Sequence, residues 1–233
     1  MTTVIIDGDL IAYRCAAVNE NANEGLACWQ TDQLISRILE ELDATNWHIY
    51  LSGDNNFRYN IDPNYKANRR DLPRPRFLEA VRRYLVLTHG ATLCDGYEAD
   101  DALGIHSIKF PDPNLIICSI DKDLLQLEGK HYNFVRRELV TVSRLGGLRT
   151  FYEQLLVGDA SDNIRGCPGI GKAKAPKLLE GCDDEECLVQ CCWGAFERAG
   201  ATESEFIRDA RLLYIKRTEE DQWHPPLDLL LQD

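Results

Sequence analysis

The chain alternates short apolar runs with segments of helical periodicity. Four apolar runs predict buried strands, at residues 2–6, 47–51, 91–94 and 115–120. Apolar positions at helical spacing predict helices over 31–42, over 77–85 and from about Ala99 onward. The pair Thr202 and Glu205 resembles a capping box that opens a last helix. Such alternation is typical of an α/β fold with a mostly parallel central sheet flanked by helices.

The predicted strands end in acidic residues. Asp7 directly follows the first apolar run, Asp54 lies shortly after the second, and Asp121 follows the last. The carboxyl ends of parallel strands meet at one edge of a sheet, where ligands bind. Aspartate is also a common turn residue, and any one of the three can be explained in that way. Three acids at three strand ends favour a shared site.

Three tight acidic groups extend this pattern, and with Asp7 and Asp54 they give nine candidate carboxylates. The nine are Asp7, Asp54, Glu98, Asp100, Asp101, Asp121, Asp123, Asp159 and Asp162. Around one crevice they would not all stay ionised without cations, because neighbouring carboxylates raise one another's pKa. Hard cations with oxygen ligands, Mg²⁺ or Mn²⁺, fit best. Two such ions about 4 Å apart promote phosphodiester hydrolysis, so the sequence predicts a two-metal site.

The overall charge argues at first against a nucleic-acid substrate. The net charge is −12 and the pI is near 4.9, whereas phosphate-binding surfaces are normally basic. Without the nine candidate ligands the formal charge is −12 + 9 = −3, so much of the acidity belongs to the candidate site. Residues 66–83 carry seven lysines and arginines against two acids, a local balance of +5. The chain therefore combines an acidic site with a basic segment.

The nine cysteines are scattered along the chain, and no signal peptide precedes the first apolar run. We expect reduced thiols in an intracellular, cytoplasmic protein rather than a disulfide framework. Apolar runs long enough to span a bilayer are missing from the sequence, so we expect no membrane association.

Two C-terminal features are interpreted as structural. Four cysteines lack the paired spacing of a zinc site, and His224 is remote from them, so we favour buried or half-buried thiols. They are Cys182, Cys187, Cys191 and Cys192. The apolar tail at 227–231 is either a packed terminal segment or a partner-binding peptide, and we favour packing.

Seven segments, in order, resemble the 5′ nuclease superfamily of the flap endonuclease and bacterial DNA polymerase I type, and within it the small phage 5′ to 3′ exonucleases. They are IDG at 6–8, Asp54 with Phe57-Arg58, YKANR at 65–69, EADD at 98–101, SIDKDL at 119–124, GDASDN at 158–163 and GCPGIG at 166–171. The resemblance covers most of the chain.

The resemblance implies a PIN-like 5′ nuclease core over residues 1–150, with a helical arch at about 60–85, and a helical region over 151–233. It also divides the nine carboxylates between two sides of a cluster that holds two Mg²⁺ ions, with Mn²⁺ as a substitute. Asp7, Asp54, Glu98, Asp100 and Asp101 form one side, and Asp121, Asp123, Asp159 and Asp162 form the other.

The segment 65–69 is similar to the base of the family's arch. If this segment is helical, Lys66 and Arg69 lie on one face and both reach the scissile phosphate. Lys66 would supply a point charge and Arg69 a bidentate fork for the transition state. A solvated basic helix is the alternative interpretation. Arg70, Arg74 and Arg76 are expected to contact phosphates without specificity, or only solvent.

The turn at Gly169 and Gly171, followed by Lys172 and Lys174, is similar to a helix-hairpin-helix motif that binds the DNA backbone. Glycines let the backbone approach phosphates, and amides at a helix N-terminus bind them. The resemblance implies a K⁺ ion at this motif. Pro176 departs from the usual pattern, and its distance from the helix start decides whether the helix kinks. A purely structural turn is the alternative.

The sequence thus predicts a two-metal-ion 5′ to 3′ exonuclease, a hydrolase, with structure-specific flap endonuclease activity in replication, repair or recombination. Expected substrates are DNA with a 5′ end, nick or flap, and RNA primers in RNA–DNA hybrids. We expect a monomer in the cytoplasm of a bacterium or phage-infected cell. The alternatives are a PIN-like ribonuclease, which would lack the hairpin motif, and a non-catalytic, structure-specific DNA-binding protein.

Overall fold

A computed structural model gives the fold, and residues 1–226 are described. The predicted tail at 227–231 lies outside these residues. A six-stranded sheet has the order β3-β2-β1-β4-β5-β6. Its strands are β1 (Thr2–Asp7), β2 (Ala44–Leu51), β3 (Thr92–Leu93), β4 (Leu115–Cys118), β5 (Gly129–Asn133) and β6 (Glu138–Val142). All neighbouring pairs are parallel except β5 with β6, which confirms the predicted, mostly parallel sheet.

Helices flank the sheet and form the C-terminal region. They are α1 (Gly8–Val18), α2 (Glu24–Glu41), α3 (Arg58–Ile61), α4 (Leu78–His89), α5 (Ala99–Lys109), α6 (Arg144–Val157), α7 (Ala175–Leu178), α8 (Glu185–Arg198) and α9 (Glu203–Leu213). The capping box of Thr202 and Glu205 opens α9 as predicted. Within residues 1–226, every helix is either too short or too polar to cross a bilayer.

The two faces of the sheet belong to separate apolar clusters. Ile5 and Ile117 pack with Leu103 of α5 on one face, whereas Val4 and Ile6 pack with α1, α2 and α4 on the other. Residues 4–6 of β1 and all of β4 are therefore continuously apolar. Burial of both faces fixes the strand register, and with it the position of the acids at the strand ends.

A third cluster fills the helical region between α6, α8 and α9. Its largest fully buried side chains include Tyr152, Phe196 and Phe206. Tyr65, from the segment before α4, is 2% exposed and belongs to the same cluster. The predicted boundary between residues 150 and 151 falls inside α6.

The sequence patterns missed two parts of the fold. Helix α1 begins directly after β1, where Asp7 accepts a hydrogen bond from the Leu10 amide, and only the strand was expected there. The antiparallel β5–β6 hairpin is short and largely polar, so its strands lack the apolar runs that marked the others.

The predicted arch is only partly helical. Residues 62–77 contain one 3₁₀ turn, Ala67–Arg69, and α4 begins after them. Lys66 precedes this turn in the left-handed region, with φ of 54°. Pro73 and Pro75 lack the amide hydrogens that a continuous helix would need, which explains the irregular path.

Residues 158–174 form the hairpin loop between α6 and α7. Gly158 and Gly166 both have positive φ and lie in direct backbone contact, because a Cβ on Gly166 would meet the Gly158 nitrogen at 2.3 Å. Asp159 and Ile164 pair through two backbone hydrogen bonds. Pro176 stands in the first turn of the four-residue α7, so it removes no interior hydrogen bond and causes no kink.

Candidate metal centre and active site

Two neighbouring strands deliver the first carboxylates. Asp7 is the last residue of β1 and is 2% exposed. One of its oxygens accepts the Ser119 hydroxyl at 2.9 Å, and the Ser119 oxygen accepts the Asp121 amide at 3.0 Å. Since β2 and β4 lie on opposite sides of β1, the strand order reverses here, and a crevice opens beyond the carboxyl ends. Asp7 and Asp121 lie at that crevice.

The start of α5 supplies the next two acids. Glu98 caps this helix, and Asp100 lies in its first turn, where the helix dipole favours negative charge. The Ala99 amide donates to the Ser52 hydroxyl at 2.9 Å, which ties the helix start to the end of β2. The sequence around 98–101 therefore places carboxylates at the same edge as Asp7.

These acids border one continuous groove, called here the acidic cleft. It consists of two adjoining pockets, of about 440 Å³ and about 330 Å³. The larger contains Asp7 and Asp54, and the smaller contains Asp123, Asp159 and Asp162. Both pockets are lined by Lys66, Arg69, Glu98, Asp100 and Asp121. Eight of the nine candidate carboxylates thus line the acidic cleft, with Asp54 exposed at its rim.

Four of these carboxyls hold protons more tightly than usual, and for Asp162 burial raises the pKa despite two neighbouring cations. Burial, followed by repulsion from Asp9, raises the pKa of Asp7 to about 7. Burial and the charges of Asp7 and Asp121 raise the pKa of Asp100 well above its ordinary value. Burial and Asp121 raise the pKa of Asp123 to about 6. A site that crowds carboxylates in this way fits divalent cations, because bound positive charge relieves the repulsion.

Asp101 has different surroundings, because it is paired with a cation inside the fold. It is fully buried, and its two oxygens lie 2.6 and 3.0 Å from the Arg58 guanidinium nitrogens. They also accept the backbone amides of Glu98 at 3.1 Å and Lys216 at 3.0 Å. Both oxygens are thus occupied by four hydrogen-bond donors, and the metal ligation predicted for Asp101 stays a prediction that we do not carry into the ligand set proposed below. This side chain instead ties α5 to the segment after α9.

Glu98 and Asp162, which also line the acidic cleft, are already paired with cations. Lys66 Nζ lies 2.5 Å from Glu98 Oε1 and 3.7 Å from Asp162. Arg69 reaches Asp162 at 2.7 Å. The Tyr65 hydroxyl lies 2.8 Å from Glu98 and 3.0 Å from Asp162. Lys66 and Arg69 both line the acidic cleft, although Lys66 lies outside the short helical turn, and their contact with a scissile phosphate stays a prediction.

The pKa values reflect this pairing. Burial raises the pKa of Glu98, but Lys66 and Arg58 outweigh it, so the net shift is downward. Burial alone would lower the pKa of Lys66, yet Glu98 and Asp162 raise it above its ordinary value. For Asp159, hydrogen bonds from the Ser161 hydroxyl and amide outweigh burial and lower the pKa.

The remaining basic candidates lie at different distances from the acidic cleft. Arg74 lines its larger pocket, while Arg70 and Arg76 are exposed and line neither pocket. Lys172 lines the smaller pocket, beside Asp159 and Asp162.

The other candidate residues of the hairpin loop, Gly169, Gly171 and Lys174, face solvent. Gly169 and Gly171 have open space where a side chain would stand. The Lys174 amine donates to the Gly169 carbonyl at 2.9 Å.

Sequence reasoning missed four residues of this region. Asp9 lines the larger pocket, accepts the Ser52 amide at 2.9 Å and forms an ion pair with Arg82. The Asp-Gly-Asp triplet at 7–9 was the signal for Asp9, and Arg82 was counted only as a basic residue. Tyr65 and Arg58 stood inside quoted motifs without a role.

A family model described as "5′-3′ exonuclease, N-terminal resolvase-like domain" matches residues 2–153. A flap endonuclease Xni from Shewanella baltica is 28% identical over 192 residues, which cover 76% of this chain and 73% of that protein. A DNA polymerase I from Bacillus caldotenax is 28% identical over 203 residues, which cover 76% of this chain and 23% of that protein.

Among solved structures, T5 5′-exonuclease with bound zinc superimposes with a TM-score of 0.73 at 20% identity. The superposition covers 91% of this chain and 89% of that chain. At this level of identity the likeness concerns the fold, and it includes the helical region beyond residue 153.

Proposed function

This chain belongs to the 5′-3′ exonuclease family, and on that premise we propose that it is a two-metal-ion 5′ to 3′ exonuclease that also cleaves DNA flaps. One observation carries the metal dependence. Asp7 and Asp100 lie with Asp121 in the acidic cleft, and the ion pairs of residues 1–226 include no partner for Asp7 or Asp100. Carboxylates crowded without an internal counter-ion need external cations.

We assign the metal ligands to the eight carboxylates of the acidic cleft. They are Asp7, Asp54, Glu98, Asp100, Asp121, Asp123, Asp159 and Asp162. All-oxygen donors favour Mg²⁺, with Mn²⁺ as a substitute. Paired divalent ions supply an activated water at neutral pH and neutralise charge on the phosphodiester.

Lys66 and Arg69 then change partners. Before substrate binds, they neutralise Glu98 and Asp162. Once these carboxylates receive other positive charge, both side chains are available for the oxygens of the scissile phosphate. The Lys66 amine provides a mobile point charge, and the Arg69 guanidinium provides a planar fork that suits two phosphoryl oxygens. Both groups lie within the acidic cleft, so the exchange requires side-chain rotation only.

The DNA backbone is proposed to bind on both sides of the acidic cleft. Arg74, at the rim of the larger pocket, and exposed Arg70 and Arg76 suit phosphate contacts without base specificity. Lys172 extends basic charge from the hairpin loop into the smaller pocket. Such contacts read the shape and charge of a duplex, which fits an enzyme that acts at ends, nicks and flaps.

One digestion series tests this function. Substrates labelled at the 5′ end, namely a flap, a nicked duplex and an RNA–DNA hybrid, are incubated with the protein and Mg²⁺, and the products are sized. We expect mononucleotides and short oligonucleotides from the nick, intact flaps from the flap substrate, and no cleavage after EDTA treatment. Cleavage by metal-free protein contradicts metal dependence, and cleavage of RNA alone favours the ribonuclease alternative.

A further inference from the structure

Three cysteines meet where the loop after α7 leads into α8, and none of them lines the acidic cleft. The sulfur atoms of Cys182, Cys187 and Cys191, called here the cysteine cluster, all lie within 4.8 Å of one another. Cys182 and Cys187 form a disulfide, and the Cys191 thiol lies 3.7 Å from the Cys182 sulfur. This bridge contradicts the prediction that all nine cysteines are reduced and unbridged.

The local fold explains the meeting of these side chains. Cys187 and Cys191 lie four residues apart, so they share one face of α8. Cys182 lies in the loop before α8, where its amide donates to the Leu179 carbonyl at 3.3 Å. The Arg149 guanidinium donates to the carbonyls of both Leu179 and Cys182. The loop is thereby held against α6, which carries Arg149.

The disulfide uses two of the three sulfurs of the cysteine cluster and leaves the Cys191 thiol unbridged. The bridge spans a sequence separation of five residues, so it removes little conformational entropy from the unfolded chain. The remaining seven cysteines, Cys191 among them, are unbridged. Cys182 is buried, whereas Cys187 and Cys191 are half-buried, so a small ion can reach the cluster from one side.

We propose that the reduced cysteine cluster binds one thiophilic metal ion, Zn²⁺, through three thiolates. Tetrahedral zinc with Zn–S bonds of about 2.3 Å places neighbouring sulfurs about 3.8 Å apart. Cys182 and Cys191 already match that spacing, with 3.7 Å between their sulfurs. Cys187 joins them once its bond to Cys182 is reduced. The three-residue cluster leaves the fourth position for solvent or an external thiol.

The chemistry balances with a thiol reductant. Two equivalents of a thiol reduce the Cys182–Cys187 bridge, and the reductant leaves as its own disulfide. The three thiols then bind the ion and release up to three protons. Thiolates select soft or borderline ions, while the carboxylates of the acidic cleft select hard ones, so the two sites are distinct in chemistry. Binding would clamp the loop after α7 onto the first two turns of α8.

Cobalt titration of the full chain tests this proposal. Protein reduced with a phosphine under anaerobic conditions and freed of metal is titrated with Co²⁺. We expect one equivalent to produce a sulfur-to-metal charge-transfer band and the intense visible bands of a tetrahedral thiolate site. One equivalent of Zn²⁺ is expected to abolish both. Octahedral cobalt bound to carboxylates gives only weak bands, so the acidic cleft does not imitate this result.

Serine variants assign the ligands. Cys187→Ser and Cys191→Ser, at half-buried positions, are expected to lose the charge-transfer band while retaining the helical circular dichroism of the wild type. Cys28→Ser, a half-buried cysteine outside the cluster, is the matched control and should keep the full signal. Zn²⁺ should raise the melting temperature of the reduced wild type and of Cys28→Ser only.

Two outcomes overturn the proposal. In one, the reduced protein takes up no Co²⁺ with charge-transfer absorption. In the other, the band survives both cluster substitutions. A bridge that persists under phosphine, detected by mass spectrometry together with absent cobalt binding, identifies the cluster as a structural disulfide instead.

Discussion

The acidic cleft has two kinds of carboxylate side by side. Asp7 and Asp100 are crowded by other acids, and their pKa values are raised. Glu98 and Asp162 face Lys66 and Arg69 at ion-pair distance. We propose that the first kind binds metal cations from outside the chain. The second kind carries its counter-ions within the chain, and those counter-ions are the groups proposed to bind the substrate phosphate.

The largest expected effect falls on the crowded carboxylates. Asp100→Asn should lower the flap-cleavage rate in Mg²⁺ by about 10³-fold, since removing a group that stabilises transition-state charge costs about 10²–10³ and this side chain borders both pockets. Its unfolding free energy without metal should not fall, because a repelled carboxylate becomes neutral. Initial rates and urea titrations measure the two quantities. Glu220→Gln, at an exposed acid, is the control. Near-normal activity of Asp100→Asn would contradict the distinction between crowded and paired carboxylates.

A substitution at Asp101, the next residue along α5, sharpens the comparison between crowded and paired carboxylates. Asp101→Asn removes the charge that pairs with buried Arg58, and breaking such a pair costs about 3–5 kcal/mol of unfolding free energy. Cleavage by the folded fraction should fall far less than in Asp100→Asn. Urea unfolding monitored by circular dichroism gives the stability, and rates are normalised to folded protein. A variant with unchanged stability and abolished cleavage would return Asp101 to the proposed ligand set.

A smaller effect is expected at the carboxylates that are paired with cations. Lys66→Met keeps an unbranched apolar side chain but removes the ammonium that lies 4.9 Å from the centre of the Tyr65 ring and 2.5 Å from Glu98. Its cleavage rate should fall by about 10²-fold at saturating Mg²⁺, as for other lost electrostatic contacts to the transition state. Lys66→Arg should recover part of the rate. Lys109→Met, at an exposed lysine, is the control, and equal rates for both methionine variants would contradict the assignment.

The smallest effect concerns pH. The pKa of Asp7 is raised from 3.8 to about 7 in the folded chain, so its protonated form stabilises the fold. That stabilisation is complete below pH 4 and is lost as the pH rises through 7. Metal-free protein should therefore lose about 2–3 kcal/mol between pH 5 and 8, and Mg²⁺ should restore more at the higher pH. Melting curves with and without Mg²⁺ test this, and Asp7→Asn should flatten the dependence.

The acids at the edge of the sheet could be predicted from the sequence, because the apolar pattern shows where the strands end. Asp7 and Asp121 follow buried runs, so their meeting required only that the strands be parallel neighbours. Adjacent acids on a helix are harder to separate. Asp100 and Asp101 are one step apart on α5, and only the distant Arg58 and Lys216 show which of them turns inward.

Other features depend on long-range contacts that no local pattern reveals. Lys66 reaches Glu98 from the left-handed region rather than from a helix, so the helical spacing assumed for Lys66 and Arg69 does not explain how these two side chains meet. The cysteine cluster joins Cys182 to α8 through a loop whose course Arg149 fixes. Because the spacing of these cysteines along the chain is irregular, the sequence alone did not indicate that they meet.

Tyr65 links the chemistry to packing far from it. Its ring belongs to the apolar cluster between α6, α8 and α9, while its hydroxyl contacts Glu98 and Asp162. The phenol therefore sets the distance between the helical core and these two carboxylates. Enlarging or emptying that core would widen or tilt the gap where the phosphate must fit. Mutations that tune substrate choice are therefore to be sought among its apolar neighbours as well as among the acids.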